Sequence, residues 1–183
     1  MKTLILVIMT LMVLSACGQA DKSNKLFENC FNTKIDLEKS IVVSDSIGFF
    51  SFQVPDSTWK PIRLLDNHDN GLTVGDTSKG YIRLFNVNQS EYSSSWNWAE
   101  EQKNVEIDYN VIETGEILFH DQKCRYNIVL FEKEEPQMIT FYFTILDTIN
   151  ERQYTLNLTT ENHPEFKDRF CEMRSIVESF RIK

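Results

Sequence analysis

Residues 138–160 read Met138-Ile-Thr-Phe-Tyr-Phe-Thr-Ile-Leu-Asp-Thr-Ile-Asn-Glu-Arg-Gln-Tyr-Thr-Leu-Asn-Leu-Thr-Thr160, and this stretch decides the fold class. Ile139, Phe141, Phe143 and Ile145 alternate with Met138, Thr140, Tyr142 and Thr144. Tyr154, Leu156 and Leu158 alternate in the same way with Thr155, Asn157 and Thr159. Successive side chains of a strand point to opposite faces, so each run predicts a strand with one apolar and one half-polar face. Asp147-Thr-Ile-Asn150 between them carries turn chemistry. Half-polar strands joined by so short a link suit an antiparallel sheet, covered on one face and partly wet on the other.

The same pattern extends outward. Phe50, Phe52 and Val54 share a face before Pro55-Asp56, and residues 81–88, 115–120 and 124–132 are further predicted strands. Turn-forming links at 76–80, 120–123 and 132–136 favour hairpins and meanders over parallel crossovers. At the C-terminus Phe166, Phe170, Met173, Val177 and Phe180 make one continuous helical stripe. Burying side chains of this size yields about 1.5–3 kcal/mol each, so this helix is expected to be a main core element. Asn162 followed by Glu165 predicts a capping box, with Pro164 in the first turn. A weaker helix is predicted near 94–106, capped by Ser94 or Ser95, and a short helical turn near 25–31. Strands grouped apart from helices indicate an α+β architecture, an antiparallel sheet packed by helices, in one domain over residues 40–183.

The N-terminus carries an address. Lys2 precedes an apolar run from Thr3 to Leu14, followed by Ser15-Ala16-Cys17. Twelve residues at about 1.5 Å each span ~18 Å of a ~30 Å hydrocarbon layer, too little for a permanent membrane helix. Leu14-Ser-Ala-Cys17 resembles the lipobox of bacterial lipoproteins. That resemblance implies removal of residues 1–16 as a signal peptide, lipidation of Cys17, and anchorage in the bilayer through its acyl chains, with residues 17–39 as lipidated Cys and tether. Two or more chains, at ~0.8 kcal/mol per buried CH₂, hold a protein on a membrane where one does not. Gly18 follows Cys17, not the Asp that favours inner-membrane retention in enterobacterial relatives, so the expected location is the outer membrane.

The domain resembles the PsbP-like family, which includes photosystem extrinsic subunits, Ran-binding relatives and bacterial DcrB-type lipoproteins. The features that carry this are Gly48-Phe-Phe-Ser-Phe-Gln-Val-Pro-Asp56 with Trp59 after it, the helix near 96–105, and Tyr154-Thr-Leu-Asn-Leu-Thr-Thr160 leading to Phe166 and Ser179-Phe180. The resemblance implies an α/β/α sandwich with the C-terminal helix on the sheet and, as partner, an envelope protein. It transfers no catalytic residue, and a fold by itself assigns no activity.

Composition narrows the partners. The chain has 183 residues, 27 acidic against 19 basic, for a formal charge of −8. That balance argues against nucleic acid and against a basic patch on an anionic bilayer. Its three His residues, His68, His120 and His163, fall in no zinc-ligand spacing, nucleophile elbow or phosphate loop. Asp66, His68 and Asn70, then Gly71, mimic the opening of a calcium loop. Thr77 stands where the bidentate Glu belongs, so a polar turn is the expected role and no cofactor is expected. With Cys17 lipidated, Cys30, Cys124 and Cys171 remain, consistent in an oxidising envelope with one disulfide of undetermined pairing and one buried thiol. Tyr92, Trp96 and Trp98 form a candidate partner surface, because helical residues 96 and 98 point ~200° apart and both cannot face one core. The expectation is a non-catalytic binding or accessory module. The alternatives are a carrier of a small ligand or ion and, less favoured, a hydrolase.

Overall fold

The computed structural model describes residues 40–62, 71–92 and 97–183. The elements run β1 (Ile41–Ser44), β2 (Phe50–Val54), β3 (Lys60–Ile62), β4 (Gly71–Asp76), β5 (Arg83–Glu91), α1 (Trp98–Asp108), β6 (Asn110–Phe119), β7 (Gln122–Phe131), β8 (Met138–Asp147), β9 (Arg152–Glu161), α2 (Phe166–Glu178) and β10 (Arg181–Ile182). Seven strands form one antiparallel sheet in the order β3-β4-β5-β9-β8-β7-β6. The expected meander is its second half.

The alternation quoted above sets the register. Phe141 pairs with Leu158 and Phe143 with Leu156, so the apolar sets of β8 and β9 share one face. Phe85 and Val87 of β5 join them, and all of these side chains are fully buried. The opposite face carries side-chain hydrogen bonds instead: Thr140 to Thr159 at 2.8 Å, Asn86 to Thr73 at 2.7 Å and Asn157 to Asn86 at 2.9 Å. Helix α2 lies on the apolar face, with the Phe170 and Phe141 ring centroids 6.0 Å apart. Helix α1 lies on the other face, where Arg125 of β7 sits over Trp98 and the rings of Tyr109 and Phe131 are 5.1 Å apart. The result is the α/β/α sandwich that the family resemblance implies.

One layer goes beyond that expectation. The strands β1-β2-β10 form a second, three-stranded sheet that shares the apolar face with α2. Phe52 of β2 packs edge-on against Phe85 at 4.8 Å, and Phe50 against Tyr154 at 6.0 Å. Phe180 has left the helix and is fully buried 5.6 Å from Phe50. Gly115 belongs to the same packing, because the Tyr126 ring lies 2.6 Å from where a Cβ would stand.

Both predicted helix caps are corrected. Asn162 does not cap α2; its backbone N–H and side-chain amide donate to Gln137, and Glu165 stands at the N-cap without a side-chain bond. Asn97 caps α1, its Oδ1 accepting the Ala99 N–H at 2.9 Å. Ser94 and Ser95 lie outside the described residues.

These registers give the molecule two ends. Chain enters at Ser40, where Ile41 pairs with Val54; there β9 ends and the β4–β5 turn lies. At the far end are the β1–β2 loop, the β8–β9 turn and Lys183, whose N–H donates to the Phe49 carbonyl at 2.9 Å. A ten-residue strand such as β9 separates the two ends by ~34 Å.

Candidate functional site

The far end holds a cleft of about 250 Å³ lined by Asp45, Ser46, Ile47, Phe50, Leu72 and Gln89, among others. Its wall is the β1–β2 loop, which local hydrogen bonds hold. The Asp45 carboxylate accepts the Phe50 N–H at 2.9 Å, and the Asp45 carbonyl accepts the Gly48 N–H at 3.3 Å. Gly48 takes φ +85°, a left-handed conformation that costs a side-chain-bearing residue energy, so glycine suits this turn. Phe49 is clamped from outside: the Arg152 guanidinium lies 3.5 Å from its ring centroid. Lys183 ties the loop's first strand through its Nζ to Ser44 Oγ at 3.2 Å. Phe50 and Leu72 supply an apolar floor, Asp45 and Gln89 a polar edge. The arrangement suits the side chain of a partner or a small amphipathic molecule.

The entry end is built the opposite way. Arg83 and Asp76 are both buried and paired. Asp76 also accepts the Ser78 N–H at 2.8 Å and hydroxyl at 3.0 Å. Burial opposes its ionisation, but the Ser78 bonds and Arg83 outweigh this and hold the carboxyl below the usual carboxylate range. Arg83 reaches Glu172 of α2 at 3.2 Å, and Lys79 and Tyr81 converge on the same carboxylate at 2.9 and 2.7 Å. Burial again opposes ionisation of Glu172, and Lys79, Tyr81 and Arg83 hold its pKa low. Trp59 and Tyr81 flank the Arg83 guanidinium at 5.3 and 5.7 Å. This network fastens the β4–β5 hairpin to α2.

The residues singled out in the sequence are spread over the molecule. Trp98 is half-buried beside Arg125 at 5.7 Å, and Tyr92 is half-buried with its N–H bonded to the Glu151 carbonyl at 2.8 Å. Trp96, Asp66, His68, Asn70, Cys17 and Cys30 lie outside the described residues. His120 occupies the two-residue β6–β7 turn at φ +45°, stacked on Phe119, with Arg181 at 3.0 Å from Nε2. His163 Nδ1 accepts the Glu165 N–H at 3.2 Å at the start of α2. Cys124 is a buried free thiol whose pKa desolvation pushes up to about 11, so it is a poor nucleophile near neutrality. Cys171 is disulfide-bonded, and its partner lies outside the described residues. Among the described residues no group of three His, Cys, Asp or Glu is placed to share a metal ion, and no helix is long and apolar enough to cross a membrane.

No protein-family model and no curated protein matches this sequence. Solved structures do match its fold. The Ran-binding protein Mog1p of Saccharomyces cerevisiae superposes with a TM-score of 0.54 at 9% identity, over 79% of this chain and 95% of Mog1p. LpqN of Mycobacterium tuberculosis, described as involved in cell envelope biogenesis, gives 0.53 at 9% identity, over 79% of this chain and 91% of LpqN. At such identity the likeness is one of fold: a PsbP-like and Mog1-like α+β sandwich.

Proposed function

We propose that the chain is a lipoprotein of the bacterial envelope whose folded part is a non-catalytic binding module for an envelope protein. The observation that supports this most is the joining of Leu14-Ser-Ala-Cys17 to a fold shared with LpqN, an envelope-biogenesis protein, and with Mog1p, a protein that binds Ran. In this reading Cys17 bears the lipid, Gly18 favours the outer membrane, and residues from 17 to 39 link the anchor to Ser40. Lipid on Cys17 leaves Cys30 as the partner of Cys171, because Cys124 is free. Such a disulfide suits an oxidising compartment.

Labelling cells with a fatty-acid analogue tests the anchor: wild-type protein incorporates label and Cys17→Ser does not. Retained label in the variant contradicts the assignment. Peptide mapping without reduction is expected to recover a linked pair containing Cys30 and Cys171; a linked pair containing Cys17 contradicts both the pairing and the lipidation. The 250 Å³ cleft favours one second reading, a carrier of a small ligand. Native mass spectrometry distinguishes the two: a co-purifying small molecule supports the carrier, and a bare protein supports the module.

A further inference from the structure

Two exposed isoleucines stand at turn tips of the far end, where polar residues are the rule. Ile47 at the β1–β2 loop is 56% exposed and Ile149 at the β8–β9 turn is 90% exposed. Neither turn is loose. The first is braced by Asp45 as described. In the second the Asn150 N–H and side-chain amide both donate to the Asp147 carboxylate, at 3.1 and 2.7 Å. The Phe49–Arg152 contact joins the two loops, and each isoleucine is only two or three residues from it. At ~3.3 Å per residue the two side chains stand within roughly 20 Å of each other, and Ile47 lines the cleft.

Scattered single apolar residues on a surface are ordinary. Two on adjacent braced tips, one of them in the wall of a cleft with an apolar floor, form a surface ordered before anything binds, which reduces the entropic cost of association. Three occupants compete for it: a bilayer, a second copy of this chain, and a different protein. Around the tips stand Asp45, Glu91, Asp147 and Glu151 against Arg152 and Lys183, with Asp121 and Arg181 at the neighbouring β6–β7 turn. An acidic rim is repelled by anionic lipid and by its own copy. The chain also enters at the opposite end, ~34 Å away, so the tips need not face the membrane that holds the anchor. The rim is complemented by lysine and arginine.

We infer that the far end is the docking surface of the binding module proposed above, and that its occupant is a protein presenting apolar sockets for Ile47 and Ile149 within a basic rim. The inference rests on the binding-module reading and adds the place and the partner's chemistry. The test places a photo-reactive residue at 47, at 149, at 98, or at exposed Lys133 of the entry end, in the full chain in its host cells. Adducts are identified by mass spectrometry. One and the same protein is expected at 47 and 149 and none at 133. Once purified, that protein is expected to bind less tightly as salt rises, and at least about tenfold less tightly to Ile47→Asp/Ile149→Asp. Circular dichroism of the variant is expected to be unchanged. Vesicles of phosphatidylethanolamine and phosphatidylglycerol are expected not to bind. A lipid adduct, vesicle binding that needs the isoleucines, a homodimer adduct, or salt-insensitive binding overturns the inference. A protein adduct at 98 or 133 but not at 47 and 149 overturns the surface and leaves the binding module standing. No protein adduct at any position overturns both.

Discussion

The two ends of the seven-stranded sheet solve opposite problems with similar side chains. At the entry end charged groups face inward: Arg83 is buried between Asp76, Glu172, Trp59 and Tyr81, and the network locks a hairpin to α2. At the far end an arginine serves to clamp the loops instead, with Arg152 laid on Phe49 while Ile47 and Ile149 are left in water. The first arrangement makes the sandwich hard to open. The second makes a surface rigid without covering it. Stability and recognition are therefore separable here, and substitutions at the two ends should affect different measurements.

The largest stability effect is expected at the entry end. Arg83→Met leaves the Asp76 carboxylate buried without its cation, which costs about 3–5 kcal/mol. Urea unfolding of the purified protein measures it, and a loss below about 1 kcal/mol would show that the network is incidental. The same network predicts a response to acid. Asp76 and Glu172 have pKa values below their ordinary ones, so the native state binds fewer protons than the unfolded chain in the interval between. Their stabilisation is complete above the ordinary carboxylate range near ~4 and is lost as pH falls toward the lowered values. Urea midpoints taken from pH 7 downward should fall in that window, and fall less steeply in Arg83→Met. Asn97 gives an intermediate case: Asn97→Ala removes the side-chain bond that caps α1 and is expected to cost about 1 kcal/mol. At the far end Ile149→Asp is expected to change stability by no more than ~0.5 kcal/mol. A larger loss would mean that Ile149 is packed, and the contrast between the ends would weaken.

The sequence made the middle of the molecule readable because alternation over ten residues in β8 and β9 has one interpretation. The α2 stripe was equally clear, since Phe170, Met173 and Val177 are all buried. The strands β1, β3 and β10 have four, three and two residues, too few for a period to register, and Pro61 disguises β3. Their partners are also distant in sequence, as when Ile182 pairs with Phe50. The same non-locality misled the cap of α2: Asn162 has the right spacing to Glu165 but is drawn to Gln137 across the sheet end. Helix α1 reads weakly because Val105 alone is buried along it. The candidate surface was the least legible part. Ile47 and Ile149 are single apolar residues in polar turns, and only the folded contact of Phe49 with Arg152 joins them. Trp96 and Trp98 point ~200° apart only if both are helical, whereas α1 begins at Trp98.

The most direct measurement is the yield of the protein adduct from a photo-reactive residue at position 149 in intact cells, with Ile47 present and with Ile47→Asp. A shared docking surface predicts at least about a tenfold drop in yield at unchanged cellular protein level, because one of two adjacent anchors is lost. An undiminished yield would contradict the account, since Ile149 would then be meeting its neighbour without the far end acting as one surface.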